Sequence, residues 1–490
     1  MKLQLGISEA IAHWAKYNAN APCVIHETCC LSFQDLNAIV NYLAENEFCK
    51  VSEQCVPIMI ESKVLLLSSI VAAIRCNKVP VILNPYCKTH ELEFALDHLG
   101  AKAIFAEERF TSQIPVRYST YVLDALQVEG KLEYSTALTW PPPDLESTWG
   151  ILFSSGTTGN PKGIDRSHFS ILSELLGWCF ELETRRTSHY YIARPLYYTG
   201  GLMLAMTCLL VGGKVSLYDR FAPDLYLSHL ENDLVELSFL VPSQISALID
   251  YVKANGITEP AHSRMVLSMG AAFPEQLKIE ARKHLRSDIL ESWGNTEGLG
   301  TITTQTDLDQ RPSSIGKPFL TDELFIVDES HHRVGANVIG RLSGKVDSHF
   351  TRYSHSTNES NETVVEDGMI ISEDLGIEDS EGYFYLYGRA SDVIATEHGT
   401  IYPMLIEKKI ASVDGIEEVA VIGVPAGSFE VPVVVVKLRS QEVNAEALLK
   451  RLNAILGEHD KMTQLRIVAE FPKTASGKIT KKELTALFAS

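Results

Sequence analysis

The stretch that decides the fold is Ser154-Ser155-Gly156-Thr157-Thr158-Gly159-Asn160-Pro161-Lys162-Gly163. It follows the apolar segment Gly150–Phe153, which predicts a β-strand. The glycines let the backbone approach a ligand and turn N–H groups towards it, while the hydroxyls and Lys162 add donors and a positive charge. The stretch therefore predicts a loop that wraps a polyphosphate.

The nearest alternative is the P-loop of nucleoside triphosphatases, G-x-x-x-x-G-K-[ST]. That motif does not fit, because Gly163 follows Lys162 where Ser or Thr is needed, and Pro161 precedes the lysine. The residues themselves therefore disfavour a P-loop enzyme.

Strand and helix patterns alternate along the first two thirds of the chain, which predicts parallel sheets covered by helices. Residues Ser314–Ser348 change to short strands separated by turns, and this spacing predicts a small barrel or sheet. From Gly382 onward the pattern is that of a separate α+β unit.

The chain has 490 residues and a formal net charge of −19, so we expect it to bind neither nucleic acid nor anionic membranes. The longest uncharged stretch, Pro195–Gly213, is interrupted by proline and glycine, which predicts a buried helix over Gly201–Val211 rather than a membrane span. Without a signal peptide pattern, we expect a soluble cytoplasmic protein with no membrane insertion. We expect the nine cysteines to be free thiols in a reducing cytosol, and their spacing predicts no zinc site.

A second motif is Trp293-Gly294-Asn295-Thr296-Glu297. An aromatic face can stack on a base, a glycine lets the chain pass close to it, and a carboxylate can hold Mg²⁺. For these five residues alone, a nucleotide site and a buried tryptophan beside an exposed glutamate both remain open.

The chain resembles the adenylate-forming enzymes, which include acyl-CoA synthetases, the adenylation domains of peptide synthetases and firefly-type luciferases. Phe153–Gly163 is similar to the family's phosphate loop [YF]-[ST]-S-G-T-T-G-x-P-K-G, and Trp293–Glu297 to its aromatic-G-x-T-E. Four further segments are similar to family motifs and occur in family order: Ser268–Ala272 (S-G-G-A-P), Ser372–Gly376 (T-G-D-L-G), Gly388–Asp392 (G-R-x-D-D) and Pro472–Ile479 (P-[KR]-T-x-x-G-K-[IV]). The resemblance covers nearly the whole chain.

The resemblance implies an α/β protein. Its large N-terminal AMP-binding domain, residues 1–389, would hold two parallel-type α/β sheets and a small β-barrel. A small mobile α+β lid, residues 390–490, would carry the catalytic lysine. The hinge between them would lie at Arg389–Asp392, with Ser391 where the family usually has aspartate.

The resemblance also implies the residues of an ATP site. The phosphates would be held by Ser154, Ser155, Gly156, Thr157, Thr158, Gly159 and Lys162. The adenosine and α-phosphate would be held by Gly270, Ala271, Ala272, Trp293, Gly294, Asn295, Thr296, Asp374, Arg389 and Lys478. The catalytic residues would be Lys478, Glu297, Thr158 and Arg389. Glu297 would also bind Mg²⁺, and Lys478 would bridge the substrate carboxylate and the α-phosphate of ATP.

The acid pocket is implied by Pro195–Gly201, which aligns with P-L-F-H-x-x-G and has Tyr198 in place of histidine. Tyr197–Ala205 contains no acidic residue that could pair with an α-ammonium group, so we expect a small carboxylic acid such as an aryl or fatty acid. The expected wall residues are Tyr198, Gly201, Met269, Gly270 and Leu299.

The resemblance implies a thiol acceptor, either CoA or the phosphopantetheine arm of an acyl or peptidyl carrier protein. The family's CoA ligases have a lysine and a glycine pair after the hinge, where this chain has Ala395, Glu397 and His398. An acyl- or aryl-CoA ligase and a stand-alone enzyme that loads an aryl, acyl or amino acid onto a carrier protein both remain open. Arg341 stands where the family has glutamate, and we expect it to affect packing only.

Overall fold

A computed structural model describes the chain except for residues 1–5, 27–28, 125–139, 141–142, 155–161, 272, 346–351, 354–363, 367–368, 428, 440–443, 474–478 and 489–490. For residues 154, 352–353 and 364–366 it describes the backbone alone.

Nine strands form the large sheet. Their spatial order is Lys317–Pro318, Gly300–Ile302, Asp288–Gly294, Met265–Met269, Leu237–Phe239, His189–Ile192, Lys214–Leu217, Pro22–His26 and Cys29–Ser32. The six strands from Asp288–Gly294 to Pro22–His26 pair in parallel, and the outer strands pair antiparallel. The sheet therefore presents the carboxyl ends of six neighbouring strands at one edge.

Seven strands form the second sheet. Their spatial order is Arg352–Tyr353, Lys162–Ser167, Thr148–Ser154, Val79–Ile82, Cys55–Met59, Ala103–Ala106 and Ser119–Val122. The five strands from Thr148–Ser154 onward pair in parallel. Two mainly parallel sheets are thus confirmed, as the alternating strand and helix patterns predict.

Helices cover the sheets. The described helices are Ile7–Tyr17, Phe33–Asn46, Lys63–Arg75, Thr89–His98, His168–Glu181, Thr199–Leu210, Pro223–Asn232, Pro242–Ala254, Glu275–Leu285, Gln305–Gln310, Pro403–Ala411, Ala445–Asn453 and Lys481–Phe488. The described residues also form short 3-10 segments at Phe48–Lys50, Glu108–Gln113, Ala390–Asp392 and Glu458–Asp460.

The core between the sheets contains two almost fully buried helices, Lys63–Arg75 and Thr199–Leu210. The second confirms the buried helix predicted over Gly201–Val211. Of the helices in the described parts of the chain, none is both long and apolar enough to cross a bilayer.

A smaller antiparallel sheet follows. Its strands are Leu324–Val327, Gly340–Lys345, Met369–Glu378, Val364–Glu366 and Phe384–Arg389. The predicted β-rich character is confirmed, and the described strands pair as one five-stranded sheet.

The residues beyond the antiparallel sheet fold around cores of their own. A hairpin, Ile394–Thr396 with Gly399–Ile401, precedes a sheet of Ile416–Ala426, Phe429–Leu438 and Gln464–Ile467. The apolar clusters of this part contain only residues from Ile394 onward. Separate cores favour a domain division near residue 390, and the boundary at 389/390 stays a prediction.

The expectation that all nine cysteines are free is wrong for one pair. Cys49 lies in the 3-10 segment Phe48–Lys50 and Cys76 follows the helix Lys63–Arg75, and the two form a disulfide with their Cα atoms 5.5 Å apart. The pairing depends on how the end of the helix packs, which cysteine spacing along the chain does not encode. The free cysteines are Cys23, Cys29, Cys30, Cys55, Cys87, Cys179 and Cys208.

Candidate active site

The predicted phosphate loop joins two antiparallel strands of the second sheet, Thr148–Ser154 and Lys162–Ser167. Ser154 lies opposite Lys162, so the loop leaves and re-enters the sheet at one point. That point is at the carboxyl end of a parallel strand, where open α/β sheets bind ligands. Five predicted phosphate-binding residues lie outside the described residues: Ser155, Gly156, Thr157, Thr158 and Gly159.

Arg166 connects this hairpin to the second motif. Its side chain is fully buried, and Nη1 donates to the carbonyl oxygen of Thr296 at 3.1 Å. Nε donates to Ser170 Oγ at 2.8 Å, and Nη2 pairs with Glu174 Oε2 at 2.9 Å. The arginine thus holds the strand after the phosphate loop against the Trp293–Glu297 segment. Sequence reasoning missed it because the strand Lys162–Ser167 is mostly polar, so one more charged residue in it gives no local signal.

The segment after Trp293 is a tight turn. Asn295 Oδ1 accepts the backbone N–H groups of Gly298 and Leu299 at 3.0 and 2.9 Å. A side chain at Gly294 would approach the Leu299 carbonyl oxygen within 3.2 Å, so the chain passes closely there. Glu297, the predicted magnesium ligand, is 8% exposed.

Trp293, Asp374 and Arg389 come together although they are far apart in the chain. Trp293 Nε1 donates to Asp374 Oδ2 at 3.0 Å, and Arg389 Nε lies 3.8 Å from Asp374 Oδ1. Asp374 and Arg389 face each other on paired antiparallel strands. The Asp374 carboxylate therefore lies between the Trp293 indole and the Arg389 guanidinium. Together, an indole, a carboxylate and a guanidinium can bind a base, a sugar and an anion.

Arg341 takes part in an ion pair in the antiparallel sheet. Its Nη1 lies 3.3 Å from Glu373 Oε1, so the side chain forms an ion pair next to Asp374. The expectation that Arg341 affects packing only is therefore wrong. Arg341 and Glu373 lie on adjacent strands of the antiparallel sheet, where opposite charges attract across the sheet.

The predicted acid pocket includes a contact between Met269 and Gly200. A side chain at Gly200 would meet Met269 Sδ at 2.8 Å, so the methionine packs against bare backbone. A side chain at Gly201 would meet the Pro195 carbonyl oxygen at 3.2 Å. Gly270 follows with φ of +84°, a conformation that favours glycine. Met269 and the start of the helix Thr199–Leu210 therefore form a compact wall, because Gly200 and Gly201 have no side chains.

The remaining residues predicted for this region have different surroundings. Ala271 is exposed, and Ala272 lies outside the described residues. Leu299 is buried in the same apolar cluster as Trp293, in the core beneath the antiparallel sheet. Its role as a pocket wall stays a prediction.

Tyr198 and Arg194 extend the wall beyond Met269. The Arg194 guanidinium lies 5.1 Å from the centre of the Tyr198 ring, within the range of a cation–π contact. The Tyr198 hydroxyl is buried and makes no hydrogen bond of ordinary geometry in the described structure, although the Asn84 amide lies beside it. Burial lowers the pKa of Arg194, against the opposing effect of the Tyr198 and Tyr197 hydroxyls.

The predicted hinge lies at the 3-10 segment Ala390–Asp392. Lys481 Nζ lies 3.6 Å from Asp392 and 2.7 Å from Glu407, which ties the last described helix to the hinge. Lys408 Nζ donates to the Leu386 carbonyl oxygen at 3.2 Å, across the predicted domain boundary. Of the contacts named here, the one between Lys408 and Leu386 joins the two sides of that predicted boundary.

The predicted catalytic Lys478 lies outside the described residues. Lys473 and Ile479, which flank its loop, form an isolated β-bridge, and Lys473 pairs with Glu418 at 2.6 Å. The base of this loop is therefore held on the small domain.

The loop that departs from the CoA-ligase pattern is a tight hairpin. Glu397 and His398 join its two strands and are exposed, as is Ala395. Thr396 Oγ1 donates to the Gly399 carbonyl oxygen at 2.8 Å. The unusual side chains therefore occupy a surface turn and are not part of the core.

A separate polar cluster brings together His189, His229 and Asp233, whose ligand atoms lie within 4.8 Å of one another. Sequence spacing did not predict such a metal-like group. Lys214 Nζ lies 2.8 Å from both Asp233 oxygens, so an ammonium already neutralises the carboxylate. Burial is the main reason why the pKa of His189 falls to about 4. The cluster is best explained as a neutral hydrogen-bond network.

Comparison with protein families gives two matches. The family described as AMP-binding enzyme matches residues 11–353. The family described as AMP-binding enzyme C-terminal domain matches residues 405–478. Between them they span the predicted phosphate loop, the Trp293–Glu297 motif and Lys478.

Two curated relatives illustrate the sequence similarity. The 2-succinylbenzoate–CoA ligase of Enterococcus faecalis is 25% identical over 418 residues, 85% of each chain. The enzyme of the same name from Listeria innocua is 27% identical over 412 residues, 83% of each chain.

Two solved structures have the same fold. O-succinylbenzoate coenzyme A synthetase from Bacillus subtilis, in complex with ATP and magnesium, has a TM-score of 0.88 and 21% identity, and the match covers 97% of this chain and 98% of that one. ATP-bound MatB from Rhodopseudomonas palustris has a TM-score of 0.87 and 21% identity over 99% of both chains. These matches confirm the fold class.

Proposed function

This chain belongs to the AMP-binding enzyme family, in the class of AMP-forming acid–thiol ligases, and we propose that it joins a carboxylic acid to coenzyme A through an acyl-adenylate. The observation that carries the proposal is the meeting of Trp293, Asp374 and Arg389 beside the hairpin of the phosphate loop. The acceptor is inferred from the curated relatives, which are named as CoA ligases.

The nucleoside would bind at this meeting point. By the family resemblance Trp293 would lie against the adenine, and in the structure its nearly buried indole donates its N–H to the Asp374 carboxylate. A carboxylate accepts hydrogen bonds at both oxygens, so Asp374 would accept the ribose hydroxyls. Arg389, on the opposite strand, is within reach of the ribose or the α-phosphate.

The phosphates would lie towards the hairpin of the phosphate loop. Arg166 holds the backbone of Thr296 against that hairpin, and the side chain of the next residue, Glu297, is nearly buried. One carboxylate plus phosphate oxygens is the ligand set that Mg²⁺ prefers, so the residues fit this ion, and Glu297 would hold it. Bound there, Mg²⁺ would neutralise charge on the phosphates.

In the first step an oxygen of the acid attacks the α-phosphorus of ATP. The P–O bond to the β-phosphate breaks, and pyrophosphate leaves with its electron pair. Both reactants are anions, so a cation between them lowers the barrier, and we assign this role to Lys478.

In the second step the thiol sulfur attacks the acyl carbon. The thiol proton goes to solvent, and AMP leaves with the oxygen that came from the acid. Rotation at Ala390–Asp392 would exchange the Lys478 loop for the hairpin that carries Glu397 and His398. Such a rotation would break the contact between Lys408 and Leu386.

The acid is proposed to lack an α-ammonium group. No acidic residue occurs in Tyr197–Ala205, and the cation of Arg194 lies against the same wall. An ammonium group would be repelled there and left unpaired. Aryl and alkyl carboxylic acids fit this chemistry.

Substituting Asp374→Asn tests the nucleotide site. Asparagine keeps the shape but replaces a charge-assisted acceptor, so the KM for ATP should rise about 10- to 100-fold, the loss of roughly 1.5–3 kcal/mol. Steady-state kinetics with varied ATP measure this. The matched control is Asp379→Asn on the same antiparallel sheet, which should leave the KM for ATP unchanged. A normal KM in Asp374→Asn would contradict the assignment.

The function is tested by ATP–pyrophosphate exchange across aryl, alkyl and amino acids, followed by product analysis with CoA or with a holo carrier protein. We expect exchange with aryl or alkyl acids and an acyl-CoA product. Transfer to a carrier protein without transfer to CoA would favour the carrier-loading alternative, which the exposed Glu397 and His398 keep open. Exchange with amino acids alone would contradict the proposed substrate class.

A further inference from the structure

Arg194 lies where a ligand of the large sheet would be expected. It follows the central strand His189–Ile192 by two residues, at the carboxyl edge of that sheet. Its guanidinium packs on Tyr198, the residue before the helix Thr199–Leu210. Gly200 of that helix contacts Met269, so Arg194 and Met269 belong to one continuous wall.

The cation of Arg194 has no anionic partner among the residues that the structure describes. No ion pair or hydrogen bond involves its side chain there. The carboxylates of Glu61 and Asp219 are engaged elsewhere, with Arg109 at 2.8 Å and His26 at 3.3 Å. A partly buried guanidinium without a counter-ion is costly, and a bound anion would remove the cost.

The Tyr198 hydroxyl is a second group that an anion would satisfy at this point, because it is buried, lacks a hydrogen bond in the described structure and can donate one. Lys63 is buried nearby and adds positive charge only, because its ammonium already donates to three carbonyl oxygens, those of Ile192 at 3.2 Å, Ala193 at 3.0 Å and Tyr218. Burial lowers the pKa of Lys63 to about 7, so its charge is partial near neutral pH.

We propose that Arg194 and the Tyr198 hydroxyl bind a second carboxylate on the substrate, so that this enzyme selects dicarboxylic acids. The inference rests on the proposed function and refines its substrate class. The carboxylate that reacts would point towards the phosphate hairpin, and the second carboxylate would pair with Arg194 along the Met269 wall. Arginine suits this role because its planar donors match a carboxylate.

We favour the substrate acid as the source of the anion that binds Arg194, because Arg194 lies beside the predicted acid pocket. Tyr198 and Met269 bound the predicted acid pocket, whereas the phosphate hairpin belongs to the other sheet. The phosphates of ATP and CoA are the competing sources of negative charge, and the experiment separates them.

The test measures pyrophosphate exchange with matched acids. One set pairs adipate with hexanoate, and a second pairs 2-succinylbenzoate with its two analogues that each lack one carboxylate. The variants are Arg194→Gln, Arg194→Lys and the control Arg220→Gln, an exposed arginine after the neighbouring strand. Thermal unfolding checks that each variant folds.

We expect the wild type to favour the diacid of at least one set. In Arg194→Gln the KM for that diacid should rise about 30-fold or more, the usual effect of removing one partner of a desolvated charge pair. The KM values for ATP and for the monoacids should stay unchanged. Arg194→Lys should recover most of the selectivity, since it keeps the cation, and Arg220→Gln should behave as wild type.

Three results would overturn the inference. A wild type that uses monoacids but never prefers a diacid would overturn it and leave the proposed function standing. A higher KM for ATP or CoA with every acid would assign Arg194 to those phosphates. Absence of exchange with all acids would overturn the proposed function and this inference with it.

Discussion

Replacing Lys478 with alanine is expected to lower acid-dependent pyrophosphate exchange by about 10²–10³-fold, the usual cost of losing one preorganised contact to developing charge. The reason is that the first step brings two anions together, and Lys478 would be the cation between them. The second step does not bring two anions together, so it does not require this cation. Transfer from a supplied acyl-adenylate to the thiol should therefore survive.

The matched control is Lys482→Ala, which removes an exposed lysine from the adjoining helix Lys481–Phe488. It should leave both half-reactions unchanged. Equal loss of exchange and transfer in Lys478→Ala would mean that the lysine serves folding or lid position, and unchanged exchange would refute its assignment.

Replacing Arg166 with methionine is expected to destabilise the protein by about 3–5 kcal/mol, because it leaves the Glu174 carboxylate buried without its partner. Arg166 is fully buried, and its three hydrogen bonds join its strand to the turn at Thr296 and to the helix His168–Glu181. Chemical denaturation with a two-state fit of the N-terminal transition measures the loss. The exposed pair of Arg117 and Asp97 provides the control, since Arg117→Met should cost no more than about 1 kcal/mol.

The double variant Arg166→Met with Glu174→Leu separates the effect of Arg166 on stability from its effect on the position of the turn before Glu297. Removing both charges should restore most of the stability, because an apolar pair can replace a buried ion pair. It still removes the donor to the Thr296 carbonyl oxygen, so the turn before Glu297 loses its link to the phosphate hairpin. We expect a raised KM for ATP in a stable protein, and a normal KM would contradict the link.

The sequence predicted the parts of the site that are continuous in the chain. The phosphate loop combines several chemically demanding residues within ten positions, so chance is a poor explanation of it, whereas the Trp293–Glu297 turn carried a weak signal until the order of motifs supported it. Asp374 and Arg389 needed the order of motifs as well, because a single aspartate or arginine carries little local signal. The structure places both of them beside Trp293.

Residues that act through distant contacts could not be predicted in this way. Arg166 and Thr296 meet across 130 positions, and the partner is a backbone carbonyl that any residue could supply. Arg341 looked like an isolated departure from a pattern until the antiparallel sheet placed it beside Glu373. Arg194 stood out only when the structure showed which carboxylates were already engaged.

In the proposed mechanism the acid passes through a mixed anhydride with AMP. The most direct measurement supplies the acid labelled with oxygen-18 in its carboxylate, together with ATP and CoA, and follows the label by mass spectrometry. We expect AMP to carry one labelled oxygen and pyrophosphate to carry none. Label in inorganic phosphate, or unlabelled AMP alongside an acyl-CoA product, would contradict it.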